Sequence, residues 1–373
     1  MLIAFCFANY ERQYVVSTCR QHIINIPERG NIVPHRRVLT GMRTTGPLHL
    51  GHYVGALKNW AEVQDQGYEC FFLLADVQAM TTHADNPALL TASVKEVVLD
   101  WVSVGRDPTR PNVHFVLQSQ VPERYELSVL LSMIAPFSRV MLNPTLKAEL
   151  AKQAHPTLGF VCYPVDQTAD IEMVSPLPRE YGDELLVPVG EDQAPHLEDA
   201  RDLVRRFNDR YNGQLMECRA LIGEVGRLPG TDESGQKMSK SADNAIYLSD
   251  DAAMVVDKVR RMPIDPARKD GRHIPGNPDA TPLFAYHRAF NPDKQKVADL
   301  EDRYRSATVG DAEVKRELAR VLNEMLDPIR ERRAQFEGID FRSVLEPGTE
   351  VARAACRLVV EHVRERMHMT YPS

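Results

Sequence analysis

The apolar positions of this chain change period along its length. A short entry at Val38-Leu39-Thr40 runs into a turn punctuated by glycine and proline, and from Tyr53 to Gln66 apolar residues recur at helical spacing. This is strand, turn and helix, a unit that aims the unsatisfied N–H groups of a helix N-terminus at an anion. Residues 70–75 (CFFLLA) form a continuous apolar run closed by Asp76, the pattern of a strand buried on both faces. A helical period returns over 88–104 and stops before Gly105. A further strand is predicted at 113–117, and a helix at 196–211 after the turn Val189-Gly190-Glu191-Asp192-Gln193. Strands alternating with helices predict an α/β fold with a doubly wound, Rossmann-like parallel sheet.

Beyond about residue 250 strand-like runs vanish. Segments 294–306, 311–335 and 348–368 carry charged helical patterning, so a smaller C-terminal helical domain is expected. The division reads as an extension over 1–37, a catalytic domain over 38–249 and a helical domain over 250–373. The extension starts apolar (LIAFCFA) and holds five arginines against Glu11 and Glu28. It matches a transit peptide poorly, since it is neither Ser-rich nor amphipathic. A disordered or partly docked extension, or a start placed upstream of the true one, remain the alternatives.

Composition adds little except through its distribution. The 373 residues are 43% apolar and 26% charged, ordinary for a globular protein. The net charge of −7 argues against a nucleic-acid partner. The acidic excess lies in residues 1–250, however, with 31 acids against 23 bases, whereas residues 251–373 hold 22 bases against 21 acids. A locally basic face could therefore still meet a phosphate backbone. Arg330, Arg332 and Arg333 read as a solvated helix face. Six scattered cysteines, with no CxxC pair and no zinc-finger spacing, suggest reduced thiols in the cytoplasm. No apolar run reaches the roughly 20 residues needed to cross a bilayer.

The chemistry is concentrated in two segments. In the first, His49-Leu50-Gly51-His52 stands at the mouth of a predicted helix, where two imidazoles and the helix dipole would meet anionic oxygens. Gly51 allows a ligand close to the backbone. In the second, Lys237-Met238-Ser239-Lys240-Ser241 lies in a polar stretch (TDESGQKMSKSADN) that suits a mobile loop. Lysines on such a loop can clamp a departing pyrophosphate and then release it. Lys237 and Lys240 would act as point charges on the β- and γ-phosphates.

With these two segments the chain resembles the class I aminoacyl-tRNA synthetase family, marked by HIGH-like and KMSKS motifs, and within it the tryptophan-specific branch. Further matches are TGMRTTGPLHLGHYVGAL, the segment from Tyr163-Pro164-Val165 to Ala169-Asp170-Ile171, VPVGEDQ at 187–193 and ARDLVRRFN at 200–208. The resemblance implies ATP with Mg2+, L-tryptophan and tRNA(Trp) as reactants and ligands, a homodimer, and an anticodon-binding role for residues 250–373. It implies that His49, His52, Lys237 and Lys240 are catalytic. Arg43, Thr44, Thr45, Gly51, His52, Gly190, Glu191, Asp192, Leu228 and residues Lys237, Met238, Ser239, Lys240 and Ser241 would line the ATP site, with Lys147 a further phosphate contact. No protein-bound metal is expected.

For tryptophan, the resemblance places Gly41, Gln78, Tyr163, Gln167, Asp170 and Gln193 around the amino acid. Asp170 also has a reading of its own: an aspartate beside an apolar run is costly without a partner, and an indole N–H is a donor in want of one buried acceptor. Gln78 and Gln167 depart from the His and Met of some relatives, which implies a more polar pocket wall. The stretch 172–186 (EMVSPLPREYGDELL) is longer and richer in proline and charge than the usual link, and a surface loop is expected there. It leaves open a paralogue that forms the adenylate and uses another acceptor.

Overall fold

Parallel strands form the centre of the computed structural model, which describes residues 35–180, 182–190, 193–222, 228–233, 238, 240, 244–269 and 274–371. The strands are β1 (Arg36–Arg43), β2 (Glu69–Ala75), β3 (Val113–Leu117), β4 (Glu184–Val189) and β5 (Arg219–Ile222), in the order β3-β2-β1-β4-β5 with every neighbouring pair parallel. The chain winds outward from β1 through β2 to β3, then returns to place β4 and β5 on the other side. The order therefore reverses between β1 and β4, and in open α/β sheets the crevice at the carboxyl ends of such strands is where ligands bind.

Each strand feeds both faces because side chains alternate. Cys70, Phe72 and Leu74 of β2 join one core with Val38, Trp60, Trp101 and Phe115, where the Trp60 ring stacks on Phe72 at 5.0 Å. Phe71 and Leu73 join the other with Leu39, Val116, Leu185, Val187 and Phe207. The continuous apolar run of β2 is thus the signature of a sheet covered twice.

The first helical stretch comprises α1 (Leu50–His52), a π-helical turn (Tyr53–Leu57) and α2 (Lys58–Asp65), three residues ahead of the predicted start. Helix α3 is Asp76–His83, and α4 (Pro87–Ser103) is capped by Asn86, whose side chain accepts from the Leu89 N–H. Next come α5 (Glu123–Ser132), α6 (Phe137–Val140), α7 (Pro144–Leu150) and α8 (Leu158–Glu172), none of which the periodicity marks plainly. Helix α9 (Ala194–Tyr211) starts two residues before its prediction and ends on a left-handed Asn212.

The stretch 172–186 is not the surface loop expected. Glu172 closes α8, Met173, Val174 and Ser175 are buried, and 184–186 already belong to β4. Apolar residues at its head enter the sheet's second core, and only what lies between can be a loop.

The helices after residue 250 are α10 (Ala252–Arg261), α11 (Pro282–Phe290), α12 (Lys294–Arg305), α13 (Asp311–Phe336) and α14 (Phe341–Arg366). Two of them pack back on the sheet layers, α14 on β3 and α13 on α4. Leu345, Ala352, Cys356 and Val359 of α14 are buried. At Gly348 the helix lies so close to β3 that an added Cβ would meet the Phe115 backbone O at 2.5 Å and N at 2.6 Å. Thr349 Oγ1 accepts from the Leu117 N–H at 3.1 Å, closing an otherwise open strand edge.

Helix α13 packs on α4, and this corrects the reading of its arginines as a solvated face. Arg330 Nε donates to the Asp250 carbonyl at 2.8 Å, Arg332 Nε to the Ser103 carbonyl at 2.6 Å, and Arg333 to Asp100 at 2.6 Å and to Glu96. Residues His35–Ser373 hold together as one compact unit.

Candidate active site

The two signature segments meet in space. Leu50 N–H donates to the Ile246 carbonyl at 2.9 Å and Leu248 N–H to the Leu48 carbonyl at 3.0 Å, so the chain just after the lysine loop is stitched to the HLGH turn. Lys240 Nζ reaches across 194 positions to the Gly46 carbonyl at 2.7 Å. Met238 is buried, and its N–H donates to the Leu228 carbonyl. Lys237, Ser239, Ser241, Glu191 and Asp192 lie outside the described residues.

Asp100 supports this junction from below. Buried on α4, it accepts from the Leu48 N–H at 2.7 Å and from Arg333 at 2.6 Å. Burial pushes its carboxyl up to about 7, against the pull of Arg333 and the Leu48 N–H. Burial also pushes the Lys240 ammonium down to about 8, with Asp100 opposing and Arg43 adding to the fall. A lysine with that value is still largely cationic near neutral pH.

The histidines differ in placement. His52 lines the cavity described below, while His49 is buried beneath it, its ring 3.8 Å from that of His52. The His49 N–H donates to His52 Nδ1 at 3.1 Å, which places the proton of a neutral His52 ring on Nε2. A Cβ at Gly51 would meet the His49 ring at 3.0 Å, so this glycine makes room for the imidazole beside it.

A cavity of about 550 Å³ opens at the carboxyl ends of β1 and β4, the switch point of the sheet, and its size suits a small-molecule site. Gly41, Arg43, Thr45, His52, Gln78, Tyr163, Gln167, Asp170, Gly190 and Gln193 all line it. Thr44 is buried and does not, and Lys147 is exposed on α7; the lysine at the wall is Lys152. Gly41 borders the cavity, but its missing Cβ would run into Leu73 of β2, so sheet packing itself requires glycine there.

Asp170 lies inside α8, near its C-terminal end, and is 4% exposed. Gln118 Nε2 donates to its two oxygens at 2.9 and 2.8 Å, and Arg124 pairs with it. Burial pushes its carboxyl up while Arg124 pulls it down. Nearer the other wall, Tyr163 Oη donates to Glu149 Oε2 at 2.7 Å and contacts His196 Nε2 at 3.1 Å. Burial, with Glu149, holds the phenol well above its ordinary value. Gln167 Nε2 lies 3.5 Å from Gln193 Oε1. The sequence gives no signal for Glu149, His196, Gln118 or Arg124, because each reaches the site from a separate helix or turn.

The fold and the joined signature segments define the catalytic core of a class I synthetase. Residues 34–327 match the family model described as tRNA synthetases class I (W and Y), and the chain belongs to that family. It is 42% identical over 345 residues to a tryptophan–tRNA ligase of Chlamydia caviae, covering 90% of this chain and 96% of that one. It is 44% identical over 340 residues to a tryptophan–tRNA ligase of Treponema pallidum, covering 90% and 97%. A solved tryptophanyl-tRNA synthetase of Campylobacter jejuni, complexed with ADP and tryptophan, superposes with a TM-score of 0.74 at 28% identity, covering 89% of this chain and 99% of that one.

Proposed function

We propose that the cavity binds L-tryptophan beside ATP, and that the chain uses it to ligate tryptophan to tRNA(Trp). The chain is an ATP-dependent enzyme of tryptophan–tRNA ligation, as its family and its relatives of that activity indicate. The observation that carries the reading of the site is Lys240 Nζ on the Gly46 carbonyl, which joins the lysine loop to the segment of Thr45 and His52, two residues that line the cavity.

In this reading the tryptophan carboxylate attacks the α-phosphorus of ATP, the bond to the β-phosphate oxygen breaks, and pyrophosphate leaves. No protein nucleophile is needed, because positioning and electrostatic stabilisation supply the acceleration. His52, Lys240 and Lys237 are assigned to the developing negative charge, and Arg43, Thr45 and Gly190 to the nucleotide. Magnesium enters as the counter-ion of the triphosphate; no group of three or more His, Cys, Asp or Glu is gathered at metal-binding distance among the described residues. The adenylate then passes its acyl group to a hydroxyl of the terminal ribose of tRNA, releasing AMP.

Asp170 is assigned to the indole N–H. Tyr163, whose hydroxyl proton is committed to Glu149, keeps a lone pair for the ammonium, with Glu149 and Gln193 as further acceptors. Residues 250–373, whose α13 and α14 pack on α4 and β3, are assigned to the anticodon end of the tRNA. A homodimer is proposed on the apolar side chains presented by α5, α6 and the start of α8, with Met133 69%, Phe137 70% and Leu158 79% exposed. Among the described residues no helix is long and apolar enough to cross a membrane, and we place the enzyme in the cytoplasm with its substrates. The test is charging of a tRNA(Trp) transcript by the purified chain, with tryptophan-dependent ATP–pyrophosphate exchange measured alongside. Exchange without charging would leave the adenylate step standing and refute the transfer step.

A further inference from the structure

Arg124 of α5 has no exposed side-chain surface, and a guanidinium so placed needs anionic partners. It has two. Its Nε faces Asp170, and Nη2 faces Asp166, one turn earlier on α8. Ser128 Oγ holds the far side of Asp166 at 2.9 Å, and Gln118 grips both oxygens of Asp170. The carboxylate that borders the cavity is therefore fixed in rotation by a cation and an amide.

Its charge is contested. Burial raises the Asp170 carboxyl, Arg124 lowers it, Asp166 raises it again and Gln118 lowers it. The titratable groups facing it are Arg124 and Tyr125 from α5, Asp166 on α8 itself and Cys356 from α14. Arg124 is the cation among them. The charge of Arg124 is itself favoured: burial works against it, and the two aspartates more than compensate.

The geometry points to Arg124 as the positioning residue that sets tryptophan specificity, by keeping Asp170 an aimed carboxylate so that the pocket selects the indole N–H rather than ring shape alone. It rests on the reading of Asp170 as the indole acceptor. A hydrogen bond to an ionised acceptor is roughly twice as strong as one to a neutral group. A protonated Asp170 would also present a donor where the ligand brings one.

The test measures kcat and KM by ATP–pyrophosphate exchange from pH 5 to 9. Tryptophan is compared with 3-(1-benzothiophen-3-yl)-L-alanine, which keeps the ring shape and lacks the N–H. Arg124→Gln is expected to lower kcat/KM for tryptophan on the order of 10- to 100-fold, mainly through KM, and to change the analogue only a few-fold. The acid limb of kcat/KM for tryptophan should move up by roughly one pH unit or more, and Arg124→Lys should restore its position. Asp166→Asn, which leaves Arg124 wholly to Asp170, should move the limb down. It tests the same idea should Arg124→Gln not fold.

Equal losses for tryptophan and the analogue, or an acid limb unmoved in both Arg124→Gln and Asp166→Asn, would overturn the role. Asp170→Asn separates the two readings. If it leaves the preference for tryptophan over the analogue intact, the assignment of Asp170 itself fails; if it abolishes the preference while the acid limb stays fixed in the Arg124 and Asp166 variants, only the role of Arg124 fails.

Discussion

Replacing Gly348 by alanine sets two effects of opposite sign against each other. In a helix interior Gly→Ala ordinarily stabilises by about 1 kcal/mol, through reduced backbone freedom in the unfolded chain and better helix propensity. Here the new Cβ would lie 2.5 Å from the Phe115 carbonyl oxygen, 2.6 Å from the Phe115 nitrogen and 3.0 Å from the His114 carbonyl carbon. All three are backbone atoms of a paired strand, so no rotamer change relieves them. Helix α14 must withdraw by roughly 1 Å, and gaps of that size forfeit a quarter to a half of each dispersion contact they open. The contacts at risk are those of Leu345, Ala352 and Cys356, all buried, and the 3.1 Å bond from the Leu117 N–H to Thr349.

Overpacking costs about 1–3 kcal/mol, and contacts this short to unyielding backbone fall in the upper part of that range, roughly 2–3 kcal/mol, so net of the propensity gain of about 1 kcal/mol the variant should be less stable by about 1–2 kcal/mol. Urea denaturation should show a lower midpoint with an unchanged slope. Because Leu117 leads directly into Gln118, which grips Asp170, the tryptophan KM should also rise a few-fold while the ATP KM holds. A variant as stable as the parent, or more so, would refute the close approach of α14 to β3.

The remaining predictions concern the site and its supports. Asp170→Ala should raise the tryptophan KM sharply, whereas Lys240→Ala should mainly lower the exchange rate, on the order of 100-fold; steady-state exchange kinetics separate the two. Arg333→Met leaves Asp100 buried without its cation, so it should destabilise by roughly 3 kcal/mol, and adding Asp100→Asn should recover much of that in urea titrations. Burial pushes the Glu172 carboxyl up to about 8, with Ser175 opposing and Glu217 adding to the rise. Since the folded value lies above the ordinary one, the stabilisation it brings is complete below about pH 4.5 and is lost as pH rises through 8. The parent should therefore lose on the order of a few kcal/mol relative to Glu172→Gln between pH 5 and 8.5, read as diverging urea midpoints.

Much of the fold was legible because its signals are local. β2 declares itself by six consecutive residues without a charge between Glu69 and Asp76, and α4 by a helical period that stops before Gly105. Helices α5 to α8 gave no such signal: Pro164 interrupts α8, and the exposed apolar residues of α5 and α6 blur the amphipathic period. The misreadings have a common cause. Arg330, Arg332 and Arg333 look solvated because charge usually is, yet α4 supplies an acid and a free helix-end carbonyl to receive two of them. The segment after Glu172 looks like a loop because of its prolines and charges, yet its first residues are drawn into the sheet's core.

What the sequence determined alone was the chemistry and its order along the chain. Paired histidines at a helix start and a lysine-bearing polar stretch are short motifs whose meaning depends on residue type and near neighbours, and these survive in one dimension. The tertiary structure decided how those groups work together. Reversal of strand order between β1 and β4 opens the cavity, and packing brings Lys240 to Gly46, Asp100 beneath the HLGH turn and Arg124 onto Asp170. Those pairings join residues 46 to 194 positions apart, and in a buried site the energy of a charge depends on which partners reach it.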